Sequence, residues 1–177
     1  TTGNVTRAAD VNVGNLDITR AQDTAYIELD DDWWNYEEGT FYVKLINDGG
    51  NPRLLYASDD TSNQRMGIYV SSNNPVRFLI SDNGTSVDTT SVANYHNIGD
   101  EISVAAGFAD ADVAVSDNGA TPKLSTSSSI TIPQEMTKLY FGGYYNGVPD
   151  GSSHVKKFSY YAEKLADDQL RALSEND

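Results

Sequence analysis

Leu139–Gly143 (LYFGG), His154–Tyr161 (HVKKFSYY) and Leu165–Ser174 (LADDQLRALS) follow one another in the last third of the chain. The first is an apolar run stopped by two glycines, which reads as a strand running into a loop. The second is an aromatic strand. Because side chains alternate along a strand, one of Tyr160 and Tyr161 faces the core and the other the surface. In the third, Leu165, Leu170 and Leu173 recur at helical spacing, and Asp167 and Asp168 complement the positive end of the helix dipole. A single short amphipathic helix after a strand is expected to pack its leucines on a sheet rather than offer them to a partner.

Working back from this end, Ala25 to Ser116 breaks into short segments rich in Val, Ile, Tyr, Phe and Thr, each bounded by Gly, Asn, Asp or Pro. Thr40–Ile46 is the clearest strand, with Phe41, Val43 and Leu45 on one face and Tyr42 and Lys44 on the other. Arg53–Ser58, Met66–Ser71 and Val76–Ser81 follow at the spacing of antiparallel strands, with Asn73, Asn74 and Pro75 as a turn. Ile102–Phe108 and Val113–Ser116 are two more. Asp117, Asn118 and Gly119 supply the positive-φ residues of a hairpin from which Lys123–Ser127 returns. The Ser/Thr runs Thr85–Ser91 and Ser125–Thr131 read as exposed edge strands or loops, not as domain boundaries. No internal repeat is present. The pattern predicts an all-β, two-sheet antiparallel sandwich with one C-terminal helix, and residues 1–177 as one domain.

Composition excludes several functions. With 26 acidic against 12 basic residues, the formal charge of −14 repels nucleic-acid phosphates and anionic lipid heads. No cysteine is present, which removes disulfides, thiolate metal sites and thiol nucleophiles. No apolar run reaches the ~20 residues of a membrane helix. The start at Thr1, without methionine, suggests a piece of a longer polypeptide.

Leu139–Gly143 and the stretch Gly151–Leu173 (GSSHVKKFSYYAEKLADDQLRAL) resemble the C-terminal end of concanavalin A-like (laminin-G-like) jelly-roll domains of tailed-bacteriophage structural proteins. Thr6, Arg7 and Asp10, then Glu38, Gly39 and Thr40, look like the opening of those domains, and Glu101–Gly119 (EISVAAGFADADVAVSDNG) like one of their strand pairs. The chain departs from them at Ser153, which separates Gly151 from His154, and at Ala166, where a serine or threonine helix cap is usual. The resemblance implies a virion-displayed, extracellular jelly roll in a tail fibre, spike or capsid decoration. Carbohydrate binding for host attachment is one role it implies, and a structural module contacting other virion subunits is the other. Such assemblies are often homo-oligomers, although no coiled-coil seam is present here.

Fold does not fix function, so the residues must carry the site. Trp33, Trp34 and Tyr36 precede Glu37 and Glu38. In an extended segment the two indoles point to opposite faces, leaving one as a flat surface for the apolar side of a sugar beside carboxylates. A core tryptophan with a partly covered neighbour is the competing reading. Tyr144, Tyr145 and Asn146, in a glycine-bounded loop, form a second candidate glycan site. Glu28, Asp30 and Asp32 alternate and would share a strand face as in a glycosidase, but the final glutamate of such a triad is absent and the run reads better as a strand end entering an acidic loop. This loop, or Asp59 with Asp60, would suit calcium, yet no spaced calcium loop is present, so no metal or cofactor is expected. His96 and His154 are too few for a metal triad; His154 reads as structural, and its neighbour Ser153 gives no evidence of a nucleophile. Gly49 with Gly50 and Gly142 with Gly143 lack the lysine of a phosphate loop. The chain is therefore expected to be non-enzymatic.

Overall fold

A computed structural model describes residues 25–49, 52–71, 75–90, 96–127, 129–148 and 152–175. Thr6, Arg7, Asp10, Gly50, Asn73, Asn74, Ser91 and Gly151, used in the sequence reading, lie outside the described residues. Among the described residues, eleven strands and one helix occur in the order β1 (Ala25–Glu28), β2 (Glu38–Gly49), β3 (Arg53–Ser58), β4 (Gln64–Val70), β5 (Val76–Asp82), β6 (Thr85–Thr90), β7 (Glu101–Ala109), β8 (Asp112–Asp117), β9 (Lys123–Thr126), β10 (Lys138–Phe141), β11 (Ser152–Tyr161) and α1 (Asp167–Ser174). They form a six-stranded sheet, β1-β10-β3-β4-β5-β6, facing a five-stranded sheet, β11-β2-β7-β8-β9. Each pairing is antiparallel. The architecture is the expected jelly-roll sandwich.

Alternation builds the interior. Phe41, Val43 and Leu45 of β2, Val104, Ala106 and Phe108 of β7, and Ile68 and Phe78 of β4 and β5 are buried in one cluster between the sheets. The Ser/Thr-rich β6 and β9 are edge strands. Asn83 and Gly84, with φ of 47° and 82°, turn β5 into β6 in a two-residue hairpin whose geometry needs positive φ at both positions. Asn118 and Gly119, at 46° and 72°, lead from β8 towards β9 as the sequence predicts, but Asp117, also expected at positive φ, is instead the last residue of β8.

The helix sits on the outer face of the five-stranded sheet. Leu170 is buried on Ala105 and Ala114, with Leu165 and Leu173 packed beside it. Ala166 has no side-chain oxygen to cap the helix, but the Gln169 Oε1 accepts the Ala166 amide at 2.9 Å. The Ser116 and Ser174 hydroxyls, 2.7 Å apart and buried, join the far end of α1 to β8. One outer face is thus partly covered by α1, while among the described residues no helix lies on the outer face of the six-stranded sheet.

Candidate functional site

The tryptophans are placed by a turn. The amides of Trp33 and Trp34 both donate to the Asp30 carbonyl, at 3.4 and 3.0 Å, and Asp32 N–H donates to Asp30 Oδ1 at 3.1 Å. The strand ends at Glu28, so Glu28, Asp30 and Asp32 do not share a strand face. Strand alternation does not apply across this turn, and both indoles enter the end of the sandwich. Trp34 is only 4% exposed, stacked on Tyr160 at 4.8 Å and Phe108 at 5.9 Å, with Trp33 edge-on to it and to Tyr160. Tyr36 donates its hydroxyl to the Met136 carbonyl at 2.9 Å, and its phenol is pushed upward first by burial and then by Asp31 and Asp30. Trp34 therefore belongs to the core and Trp33 and Tyr36 to its closing layer, rather than to an open sugar platform.

Tyr144, Tyr145 and Asn146 lie elsewhere, in the loop after β10. The loop closes on itself through Tyr144 N–H to the Val148 carbonyl at 2.7 Å, Gly147 N–H to the Tyr144 carbonyl at 2.9 Å and Val148 N–H to Asn146 Oδ1 at 3.2 Å. Gly142 and Gly147, at φ of 70° and 74°, permit its reversals. It folds back over the six-stranded sheet, where the Ser58 hydroxyl donates to the Tyr145 carbonyl.

Beneath and beside the loop is a group of side chains that the sequence reading did not assemble. Register puts Tyr56 opposite Gly67, and Arg53, Tyr69 and Arg77 in one row across β3, β4 and β5. Tyr56 lies across Gly67: a Cβ added there would come within 2.6 Å of its ring, so only glycine leaves room. Tyr144 covers Tyr56 with ring centroids 6.3 Å apart. The Arg53 guanidinium lies between the Tyr69 and Tyr144 rings, 4.5 and 4.3 Å from their centroids, and donates to the Tyr144 hydroxyl at 2.6 Å. Arg65 lies 4.7 Å from the Tyr145 ring centre. Three of the four described arginines thus stand on this face of an acidic chain.

The electrostatics follow from burial and pairing. Burial pushes the Tyr56 phenol up to about 12, against the weaker downward pull of Arg53 and Arg65. Tyr69 is also raised, by burial first and then by Asp88, which accepts its hydroxyl at 3.0 Å. Arg77 is paired with the same carboxylate at 2.6 Å. Asp60 is held below its ordinary range by hydrogen bonds from Lys138 and the Tyr140 hydroxyl. Asp59 accepts the amide and hydroxyl of Thr61 at 2.9 and 2.6 Å, so these two carboxylates organise the β3–β4 turn and its neighbours.

The histidines differ from each other. His154 is 81% exposed and bonds Asp48 at 2.5 Å, whereas His96 is buried 2.7 Å from Asp117. Among the described residues no cluster of three His, Asp or Glu side chains is arranged to hold a metal ion, and no helix is long and apolar enough to cross a membrane.

The sequence matches no protein-family model and no curated protein. Its shape is more informative. The carbohydrate-binding module CBM40 of the Ruminococcus gnavus IT-sialidase, in a structure bound to α2,3-sialyllactose, superposes with a TM-score of 0.65 at 16% identity, covering 80% of this chain and 84% of that one. The fold is a lectin-like jelly roll. A SAP-like pentraxin from Limulus polyphemus matches at TM-score 0.59 and 13% identity over 86% of this chain and 81% of its own. Trypanosoma rangeli sialidase matches at 0.58 and 20% identity, over 78% of this chain but 23% of that enzyme. At such identities the likeness concerns the fold alone.

Proposed function

We propose that this domain is a non-catalytic carbohydrate-binding module whose ligand lies on the outer face of the six-stranded sheet, beside loop 142–148. The observation that carries this reading is the set of tyrosines and arginines held on that face by Gly67, the loop and one another. Fixed aromatic rings cover the apolar side of a sugar, and preorganised donors bond its hydroxyls without first having to be ordered. The jelly-roll neighbours that carry sialyllactose support the ligand class.

Tyr144, Tyr145 and Asn146 remain the glycan-facing candidates of the first reading, now joined by Arg65 and Tyr69. The resemblance of residues 139–143 and 151–173 to phage domains supports display on a virion, with host-surface glycan as the partner. A glycan array probed with the parent domain and with Tyr145→Ala tests the assignment. Retained glycan binding in Tyr145→Ala would move the site elsewhere. No glycan binding by the parent would favour the alternative of a module contacting only other virion subunits, which a pull-down with those subunits would then have to show.

A further inference from the structure

Three cations around this face already have their charge engaged. Arg77 pairs with Asp88 at 2.6 Å and Lys138 with Asp60 at 2.6 Å, while Arg53 lies between two tyrosine rings and donates to a hydroxyl. Arg65 differs. It lies against Tyr145 and makes no ion pair among the described residues; its Nε, like that of Arg77, is covered and without an acceptor. With 26 acidic residues in the chain, a carboxylate partner is not in short supply. The residues across from Arg65 in the sheet are instead Ser58 and Ser81, both neutral.

A guanidinium lying against an aromatic ring still presents the edge formed by its two terminal nitrogens, which is the edge left to Arg65 with its Nε covered. That edge matches the two oxygens of a carboxylate, which a point-charge ammonium does not. Leu79, opposite Gly67 and diagonal to Arg65, is half-buried and offers an apolar patch on the same face, while Asp88, opposite Leu79 on β6, is engaged by Arg77 and Tyr69. Loop 142–148 supplies a wall that its own hydrogen bonds hold in place. The backbones of Arg53 and Arg77, level with Tyr69, lie about 13 Å further along the strands, four residues at ~3.3 Å each, and their head groups are already engaged, which leaves Arg65 to meet a carboxylate.

We propose that Arg65 is the specificity-determining residue of the site and receives the carboxylate of an acidic saccharide whose ring rests on Leu79 and the edge of Tyr145. The proposal rests on the carbohydrate-binding reading and goes beyond it by naming the charge class of the sugar.

An array of carboxylated, sulfated and neutral glycans separates the two. The parent is expected to bind carboxylated glycans, and titration calorimetry on the best of them should weaken about 10- to 100-fold in Arg65→Gln, the weight of a charge-assisted hydrogen-bonded pair. Arg65→Lys, which keeps charge but loses the fork, should fall between, and both variants should melt with the parent. Equal binding of neutral glycans, preference for sulfated ones, or an Arg65→Gln variant as tight as the parent would overturn the role of Arg65 while leaving carbohydrate binding standing. Absence of binding to every glycan by the parent would overturn both.

Discussion

Replacing Gly67 by alanine tests how the outer face is assembled. The new Cβ would come within 2.6 Å of three atoms of the Tyr56 ring, against an ordinary carbon–carbon contact of ~3.5–4.0 Å. The ring must therefore retreat by roughly 1 Å, judged from that contact distance. Retreat is opposed because Tyr56 is 1% exposed and lies beneath Tyr144. Overpacking of this kind costs about 1–3 kcal/mol. Alanine recovers ~0.5–1 kcal/mol by restricting the unfolded chain. The net loss, about 1 kcal/mol at the centre of these ranges and up to ~2.5 kcal/mol, should lower the melting temperature by roughly 2–10 °C for a domain of this size. Thermal unfolding followed by circular dichroism measures it. In a Tyr56→Ala background the obstructing ring is gone, so Gly67→Ala should there be neutral or stabilising. A parent-like melting temperature in Gly67→Ala, or the same loss in both backgrounds, would refute the argument that Gly67 exists to seat Tyr56.

Two further outcomes follow from buried aromatics. Trp34→Ala should cost about 3–5 kcal/mol as a large core-to-alanine change, seen as a lower urea midpoint with little change in slope; an unchanged midpoint would place the indole outside the core. Tyr56, with its phenol raised to about 12 in the fold and ~10 when unfolded, contributes stability that is full below about pH 10 and lost as pH rises towards 12, on the order of 3 kcal/mol in all. Urea midpoints between pH 9 and 12 should fall more steeply for the parent than for Tyr56→Phe, and parallel curves would contradict the shift.

The sequence made the sandwich legible because alternation at Thr40–Ile46 and the turn residues between strands are local signals that tertiary structure reinforced. Loop 142–148 was legible too, since two glycines bound it. The tryptophan pair reads two ways in the sequence, and the Asp30–Trp33 turn decides between them: it breaks the alternation that would set the indoles on opposite faces, and the fold contains the core tryptophan with a partly covered neighbour rather than the exposed platform. The arginine face was missed because its members are distant in sequence and adjacent only through register. One signal was available. Arginines at 53, 65 and 77 are evenly spaced, the first and last in predicted strands and Arg65 just before the predicted strand Met66–Ser71 between them, and antiparallel pairing can bring such positions to a common face.

The loop over the six-stranded sheet is held chiefly by peptide groups, namely the carbonyls of Tyr144, Tyr145 and Val148 and the amides of Tyr144 and Gly147. Any amino acid provides those atoms. Positions 145 and 148 are thus freer to change than their ordered geometry suggests, whereas Asn146 accepts the Val148 amide through its side chain and Tyr144 is tied to Arg53. Natural variation or a combinatorial library confined to those two positions could retune which molecule is recognised without gambling the scaffold beneath.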